Sequence, residues 1–483
     1  MSGVLAAAYW QNRDEGEQAV YDAMRALAEQ FQDIFGDRFY GELQWNAIPE
    51  QHEINKLVIR VCADLGIQLV STADSHYPRR DAWKDRELYK RLGWLGKGTP
   101  SWAEGSELPD AVDEIGYELY PKNGDQMWES YKKYSEQCGV EYDDMLVHNS
   151  LTATHFIAHE RIESFMPDNT VRLPDFVIPP GETADSALRK FCFEGLRAKN
   201  FHENDEYIER LEMELTVIAD RGFSKYFLTM NEITTITNEV MLSGPGRGSA
   251  AGSLVAYALD ITQVDPLKYG LQFARFLRAD ATDYPDIDYD ISDSMLLKEK
   301  LVEMWGEDCV APISNWNTLQ LRSLIKDISK FYEIPFTEAN TVTSVMIREA
   351  TPSAKKKHGI KAGVYVPTWE EVMEFSSSLQ AYLNKYPVVK AHVEGLVGQV
   401  RSCSRHAGGV VIAENLDENM PLINSGGVRQ APWAEGQNVR HLEPMGFIKF
   451  DLLGLSTLKM MEGAIEHILR RHHGIEAPTF TQI

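Results

Sequence analysis

Apolar positions recur every three to four residues over long parts of the chain and at every second residue over a few short parts. The longer spacing predicts helices over Ala19–Phe35, Gln51–Leu65, Gln126–Gln137, Thr152–Phe165, Asp185–Lys199, Asp205–Arg221 and Ser224–Asn238. Strands are predicted at Phe39–Gln44, Gly66–Thr72 and Glu239–Leu242. The first part of the chain therefore has a β-α-β rhythm. Prolines at 174, 179 and 180 mark a linker and a domain boundary.

Two further segments alternate in a way that carries chemistry. Pro285-Asp-Ile-Asp288-Tyr-Asp290 puts Asp286, Asp288 and Asp290 on one strand face, with Ile287 and Tyr289 on the other. Neighbouring carboxylates then stand about 6.6 Å apart and repel. A divalent cation relieves this, and oxygen-only ligands suit Mg²⁺ or Mn²⁺. The plainer alternative is a solvated edge strand whose charges discourage aggregation. Gly446–Leu455 alternates again, with Lys449 and Asp451 facing away from Ile448, Phe450 and Leu452.

Upstream, Gly244-Pro-Gly-Arg-Gly-Ser249-Ala-Ala-Gly252 feeds a predicted helix over Ala250–Leu259. Free N–H groups at such a helix start favour phosphate. The spacing is neither that of a dinucleotide fold nor of a P-loop, and a tight strand-to-helix connection explains the glycines as well. Arg247, a planar fork for phosphate oxygens, and Ser249, a hydroxyl at the helix start, favour the phosphate cradle. A cradle upstream of a carboxylate row points to metal-assisted phosphoryl chemistry on a nucleotide.

Other candidates weigh less. His155 and His159 have the i, i+4 zinc spacing, but Phe156 stands where a metalloprotease motif needs Glu, so ordinary helix surface is expected. Asp74 and His76 follow a strand, where α/β folds place sites, yet a cap and a loop residue suffice. His406, in a glycine turn leading into a buried strand to Ile412, reads as structural.

At 483 residues the chain holds several cores. No apolar run is long enough to span a bilayer, and the first residues lack a secretory n-region, so a cytoplasmic protein with no membrane partner is expected. Five cysteines without C-x-x-C spacing argue against disulfides and cysteine-bound zinc. The net charge of −24 opposes a nucleic-acid partner unless a local basic groove exists. Lys355, Lys356, Lys357 and Lys361, with Arg322, Lys326 and Arg348 nearby, form the most basic stretch. A charge run is ordinarily solvated surface, but its place between the two carboxylate segments allows contact with a DNA backbone.

Taken in order, Gly244–Tyr257, Asp265-Pro-Leu-Lys-Tyr269 with Phe273-x-Arg275-Phe-Leu, Pro285–Asp290, His406–Ile412 and Lys449–Leu455 resemble the motifs of the C-family replicative DNA polymerases, the catalytic alpha subunits of bacterial DNA polymerase III. The resemblance is strong from about Asp185 onward and weaker before it. It implies an α/β and α+β multidomain protein: a partial PHP-like β/α barrel remnant at 1–173, a polymerase-beta-like nucleotidyltransferase palm at 174–318 and 404–460, an inserted helical thumb at 319–403, and the start of a missing fingers domain at 461–483. It also implies two Mg²⁺ ions, with Mn²⁺ as a substitute, on Asp288, Asp290 and Asp451, and Asp286 in support. Arg247, Gly248, Ser249, Arg275 and Lys449 are then the nucleotide-binding residues. Primer-template DNA and deoxynucleoside triphosphates are the implied partners, with a second polypeptide supplying the fingers and C-terminal domains. Asp74-Ser-His76-Tyr resembles the last metal motif of the PHP domain, whose earlier histidine motifs do not occur, so no metal centre is expected there. A non-catalytic replication component and a PHP-type phosphoesterase are the rival functions.

Overall fold

Each of two units is built from two separate stretches of chain: Met1–Phe165 with Thr318–Gln399, and Met166–Asn317 with Val400–Ile483. The structure, a computed structural model, describes residues 3–95, 105, 107–164, 168–174, 178, 181–278, 284–436 and 439–475. Most of the expected linker at Pro174–Pro180, and the last part of the expected fingers start, lie outside the described residues.

In the first unit, helix Glu17–Phe35 buries Val20, Tyr21, Met24 and Ala28, a stripe at helical spacing. It shares a core with helix Pro49–Leu65. That helix links strands β1 (Tyr40–Leu43) and β2 (Gln68–Ser71), which pair in parallel, so the β-α-β rhythm is present. Polar groups inside this core are bonded: Trp45 Nε1 donates to Ser71 Oγ at 3.1 Å, and the Ser71 and Ser150 hydroxyls meet at 2.7 Å. A second core joins Leu88 and Leu92 of helix Trp83–Leu92 to helices from the later stretch, among them Leu321–Phe331, Phe336–Lys357 and Pro387–Leu396. The ends of that stretch are tied together, with Leu319 N–H donating to Gln399 O at 2.8 Å and Gly398 N–H to Leu319 O at 3.0 Å.

The second unit is organised on a sheet. Its strands are β3 (Asp288–Ile291), β4 (Val310–Thr318) and β5 (Val400–Ile412); a hairpin of β6 (Ile423–Ser425) and β7 (Val428–Gln430) follows, and β8 (Lys449–Gly454) completes the sheet. The spatial order is β3-β8-β5-β4, with β8 parallel to β3 and antiparallel to β5. Helices Ala184–Ala198, Asp205–Asp220 and Ser224–Val240 form one large core with Tyr289, Val410, Phe450 and Leu452. A smaller core of Ile313, Val411, Leu416 and Phe447 lies elsewhere in the unit. The β6–β7 turn uses Gly426 and Gly427, both at positive φ as a two-residue hairpin requires.

Three predicted elements differ. The helix expected at Thr152–Phe165 is Asp144–Phe156, because the Asp143 side chain caps it, accepting from Met145 N at 2.8 Å; a π turn, Ile157–Arg161, follows. No strand forms at Glu239–Leu242: helix Ser224–Val240 takes its first residues, and Leu242 N–H donates to Glu462 at 2.9 Å. His406–Ile412 is not a separate strand after a turn but the end of the 13-residue β5, in which Gly408 lies so near β8 that a Cβ would stand 2.9 Å from Leu452 O.

Candidate active site

Parallel pairing of β3 with β8 sets Asp288 directly opposite Asp451, and Asp290 one step along opposite Leu453. The alternation of both strands enforces this. Ile287, Tyr289 and Ile291 on one, and Phe450 and Leu452 on the other, are buried, so a one-residue slip would bury carboxylates instead. Tyr226 stacks on Phe450 from below, with ring centroids 5.3 Å apart. Asp286 keeps the alternation but lies just before β3 and is exposed.

The glycine loop rests on β3. Gly244 N–H donates to Asp290 O at 2.8 Å, and a Cβ on Gly244 would stand 2.9 Å from Asp290 Cβ. Gly248 has φ 68° and ψ −156°, a conformation open essentially to glycine alone, and a Cβ there would be 3.1 Å from Asp288 Oδ2. Between these glycines, Arg247 reaches Asp290 Oδ1 at 3.3 Å and Asp288 Oδ2 at 3.5 Å. Gly248 and Ser249 are exposed beside it.

The expected helix start is corrected. Ser249–Gly252 is a 3-10 turn, and the α-helix is only Leu254–Ala258, capped by Ser253. Its first N–H groups are already engaged: Leu254 and Val255 each donate at 3.0 Å to the buried Glu214 carboxylate, which Arg210 neutralises at 2.6 Å. The loop therefore offers an anion no helix start; what it exposes is Arg247 and the turn at Gly248 and Ser249.

Like charge is crowded at this sheet edge. Burial pushes the Asp290 carboxyl up, against Arg247 and reinforced by Asp288. Asp286 is also raised, by desolvation from the groups around its carboxyl although the residue as a whole is exposed, with Lys449 opposing and Asp451 adding to the shift. Lys449 loses solvation, but its hydrogen bond and ion pair to Asp451, at 2.7 Å, outweigh that and raise it. The other oxygen of Asp451, Oδ1, is buried without a hydrogen-bond partner. Among the described residues no group of three or more His, Cys, Asp or Glu closes into a ready-made metal cage. The row of Asp288, Asp290 and Asp451 nonetheless fits a divalent cation by its chemistry: hard oxygens crowded at one sheet edge and an orphaned carboxylate oxygen on Asp451.

A cavity of about 310 Å³ adjoins the row, lined by Asp286, His406, Lys449, Glu435 and Arg440 among others. His406 Nδ1 accepts from Gly409 N–H at 2.6 Å, which leaves the ring hydrogen on Nε2 when the ring is neutral. Burial lowers its basicity, with Asp451 opposing. His406 thus faces the site rather than serving packing alone. Two positioning carboxylates also escaped the sequence reading, Glu214 and Glu462. The latter accepts from Leu242 N–H and from Ser292 Oγ, clamping both ends of the turn that the loop and β3 share. Isolated acidic residues in amphipathic helices gave no signal for either.

The remaining candidates belong to other elements. Arg275 is exposed on the turn Phe273–Arg275 and joins none of the described ion pairs. Lys355, Lys356 and Lys357 form the last turn of helix Phe336–Lys357 in the first unit, where cations suit the helix end. Lys355 donates to Gly363 O at 2.6 Å and Lys357 pairs with Glu374 at 2.7 Å, while Lys361 is exposed. His155 and His159 have ring centroids 4.2 Å apart beside a cavity of about 770 Å³, and among the described residues no third ligand joins them. His76 Nδ1 is bonded to the Asp74 carbonyl at 2.7 Å, and both residues are exposed.

Comparison with known proteins bears on the same stretch. Residues 186–454 match the family model described as the bacterial DNA polymerase III alpha NTPase domain. Similar relatives are the DNA polymerase III alpha subunits of Aquifex aeolicus (30% identical over 487 residues, 93% of this chain and 39% of the relative) and Bacillus subtilis (30% over 466, 95% and 38%). That of Thermus aquaticus is 30% identical over 500 residues, 92% of this chain and 39% of its own. The chain spans about two fifths of the length of these curated relatives.

Proposed function

Because the chain belongs to the bacterial DNA polymerase III alpha-subunit family, we propose that it carries the nucleotidyl-transfer site of a template-directed DNA polymerase. The observation that supports this best is the in-register pairing of Asp288 with Asp451, with Asp290 alongside and the glycine loop laid against both aspartates of β3. Asp288, Asp290 and Asp451 would hold the metal. The chemistry that a pair of Mg²⁺ ions, or Mn²⁺, supplies when bound is a more acidic primer 3′-hydroxyl and neutralisation of the departing pyrophosphate.

The chain's own residues bind and orient. Arg247 is held at the row by carboxylates alone, so an arriving triphosphate competes for it with oxygens of the same kind. Gly248 and Ser249 present an exposed turn to that triphosphate. Lys449 stays protonated beside Asp451, and Arg275 is a further charge partner. Primer-template DNA supplies the choice of nucleotide, and lysines 355, 356, 357 and 361 are candidates for contact with its backbone.

Primer extension with Mg²⁺, by the chain alone and with a polypeptide encoded beside it, tests this. Asp451→Asn is expected to lower incorporation roughly a hundredfold or more. If neither preparation extends a primer and Asp288→Asn leaves metal affinity unchanged, the proposal fails and a non-catalytic replication component is the better description. Hydrolysis of nitrophenyl phosphate that survives Asp451→Asn but is lost in His76→Ala would point instead to a PHP-type phosphoesterase.

A further inference from the structure

In a chain of net charge −24, the paired strands β4 and β5 contain no Asp or Glu, nor does any residue from Cys309 to Lys326 or from Gly395 to Ala413. The inner halves of the two strands enter the cores. Their outer halves, Asn315–Asn317 and Val400–Ser402 with Arg405, are exposed. They present donors in quantity: the Asn317 amide bridges Ser402 and Ser404 hydroxyls at 3.3 and 3.0 Å, and Trp316 lies exposed beside them.

Two residues along β5 from Arg405, at Ala407, a second cation reaches the strand. Lys298, on helix Ser294–Trp305, donates to Ala407 O at 3.4 Å, and the nearness of Arg405 together with burial depresses its basicity. Among the described residues neither Lys298 nor Arg405 has a carboxylate partner. Two cations set along one acid-free strand without a carboxylate partner make a site for anionic oxygens.

We propose that Lys298, Arg405 and the exposed halves of β4 and β5 bind the sugar-phosphate backbone of the nucleic acid whose reacting end lies at Asp451. This rests on the polymerase reading given above. The sheet order decides between a nucleic acid and a nucleotide as the source of phosphate. The glycine loop lies at β3, whereas β5 and β4 lie beyond β8 on the other side. Gly409 is in register with Asp451, and Arg405 precedes it by four residues, at most about 13 Å along the strand. At about 3.4 Å per nucleotide step, that reaches no more than roughly four phosphates from the reacting end.

Fluorescence anisotropy of a labelled primer-template duplex, titrated with the whole chain at increasing KCl, tests the assignment. Each phosphate contact contributes about 0.9 to the slope of log affinity against log salt. The Lys298→Gln/Arg405→Gln variant is expected to bind at least tenfold more weakly with a slope shallower by about 1.8. Arg405→Lys, which keeps a point charge, should retain most of the slope, and circular dichroism checks that each variant is folded. Wild-type affinity and slope in the folded double variant would overturn the proposal, as would failure of the wild-type chain to bind duplex. So would a loss of deoxynucleotide binding with duplex binding intact. The two readings fail separately: absence of incorporation by the unsubstituted chain in every preparation, with metal affinity unchanged in Asp288→Asn, sinks the polymerase reading, while duplex affinity and its salt slope decide this one.

Discussion

At Gly248 the backbone conformation is the functional property. Its φ and ψ lie where an L side chain costs about 1–3 kcal/mol, and the room a Cβ would need is bounded by Asp288 Oδ2. Gly248→Ala is therefore expected to shift the loop off β3, with little change in global stability but a weakened nucleotide affinity. Isothermal titration with a deoxynucleoside triphosphate and Mg²⁺, compared with a chemical melt, measures both. Much of the row was legible at this scale. That Asp286, Asp288 and Asp290 share one face, and Lys449 and Asp451 another, follows from alternation, because a buried Tyr289 or Phe450 dictates where its neighbours point; the choice of Asp288, Asp290 and Asp451 came from the resemblance. The orientation of His406 was not, because its ring nitrogen folds back within β5 to accept from Gly409 N–H, a side-chain bond that no spacing rule encodes.

Among the elements, helix Ser456–His473 acts on the site through one buried side chain. Glu462 accepts from Leu242 N–H, Ser292 Oγ and Lys459. Burial alone would raise this carboxyl, but these donors outweigh it and hold it below its ordinary value of 4.5. Its stabilising effect is therefore complete above that value and is lost as pH falls through the lower, folded one. Glu462→Ala is expected to cost about 2 kcal/mol at neutral pH and to reduce the acid limb of the stability profile, readable by urea unfolding from pH 3 to 7. Some long helices were legible from periodicity, Asp205–Asp220 within a residue, whereas the one expected at Thr152–Phe165 was displaced and Phe336–Lys357 was not predicted. The short helix Leu254–Ala258 was overextended because Glu214, forty residues earlier, supplies the bonds that begin it.

For the whole molecule, sequence patterns showed which positions are buried but not against what. Leu88 and Leu92 are plain core positions, yet their core is completed by residues from Leu319 to Leu396. The tie between Leu319 and Gln399 means that this stretch leaves and re-enters at one narrow point. Replacing 320–398 with a short Gly-Ser link is expected to preserve β5–β8 pairing while helix Trp83–Leu92 loses protection. Hydrogen exchange read by mass spectrometry distinguishes the two, and loss of protection in β8 would contradict it.

The order β3-β8-β5-β4 places the last strand of the sheet to be synthesised between two made earlier. While the chain is still emerging from the ribosome, β3 and β5 each offer an unpaired edge, and Asp288 has no partner across the sheet. Some 160 residues separate Asp288 from Asp451, roughly 8–30 s at ordinary translation speeds. A nascent or truncated product ending before Lys449 thus has open edges prone to aggregation and no carboxylate pair. The site is made only by the strand that closes the sheet.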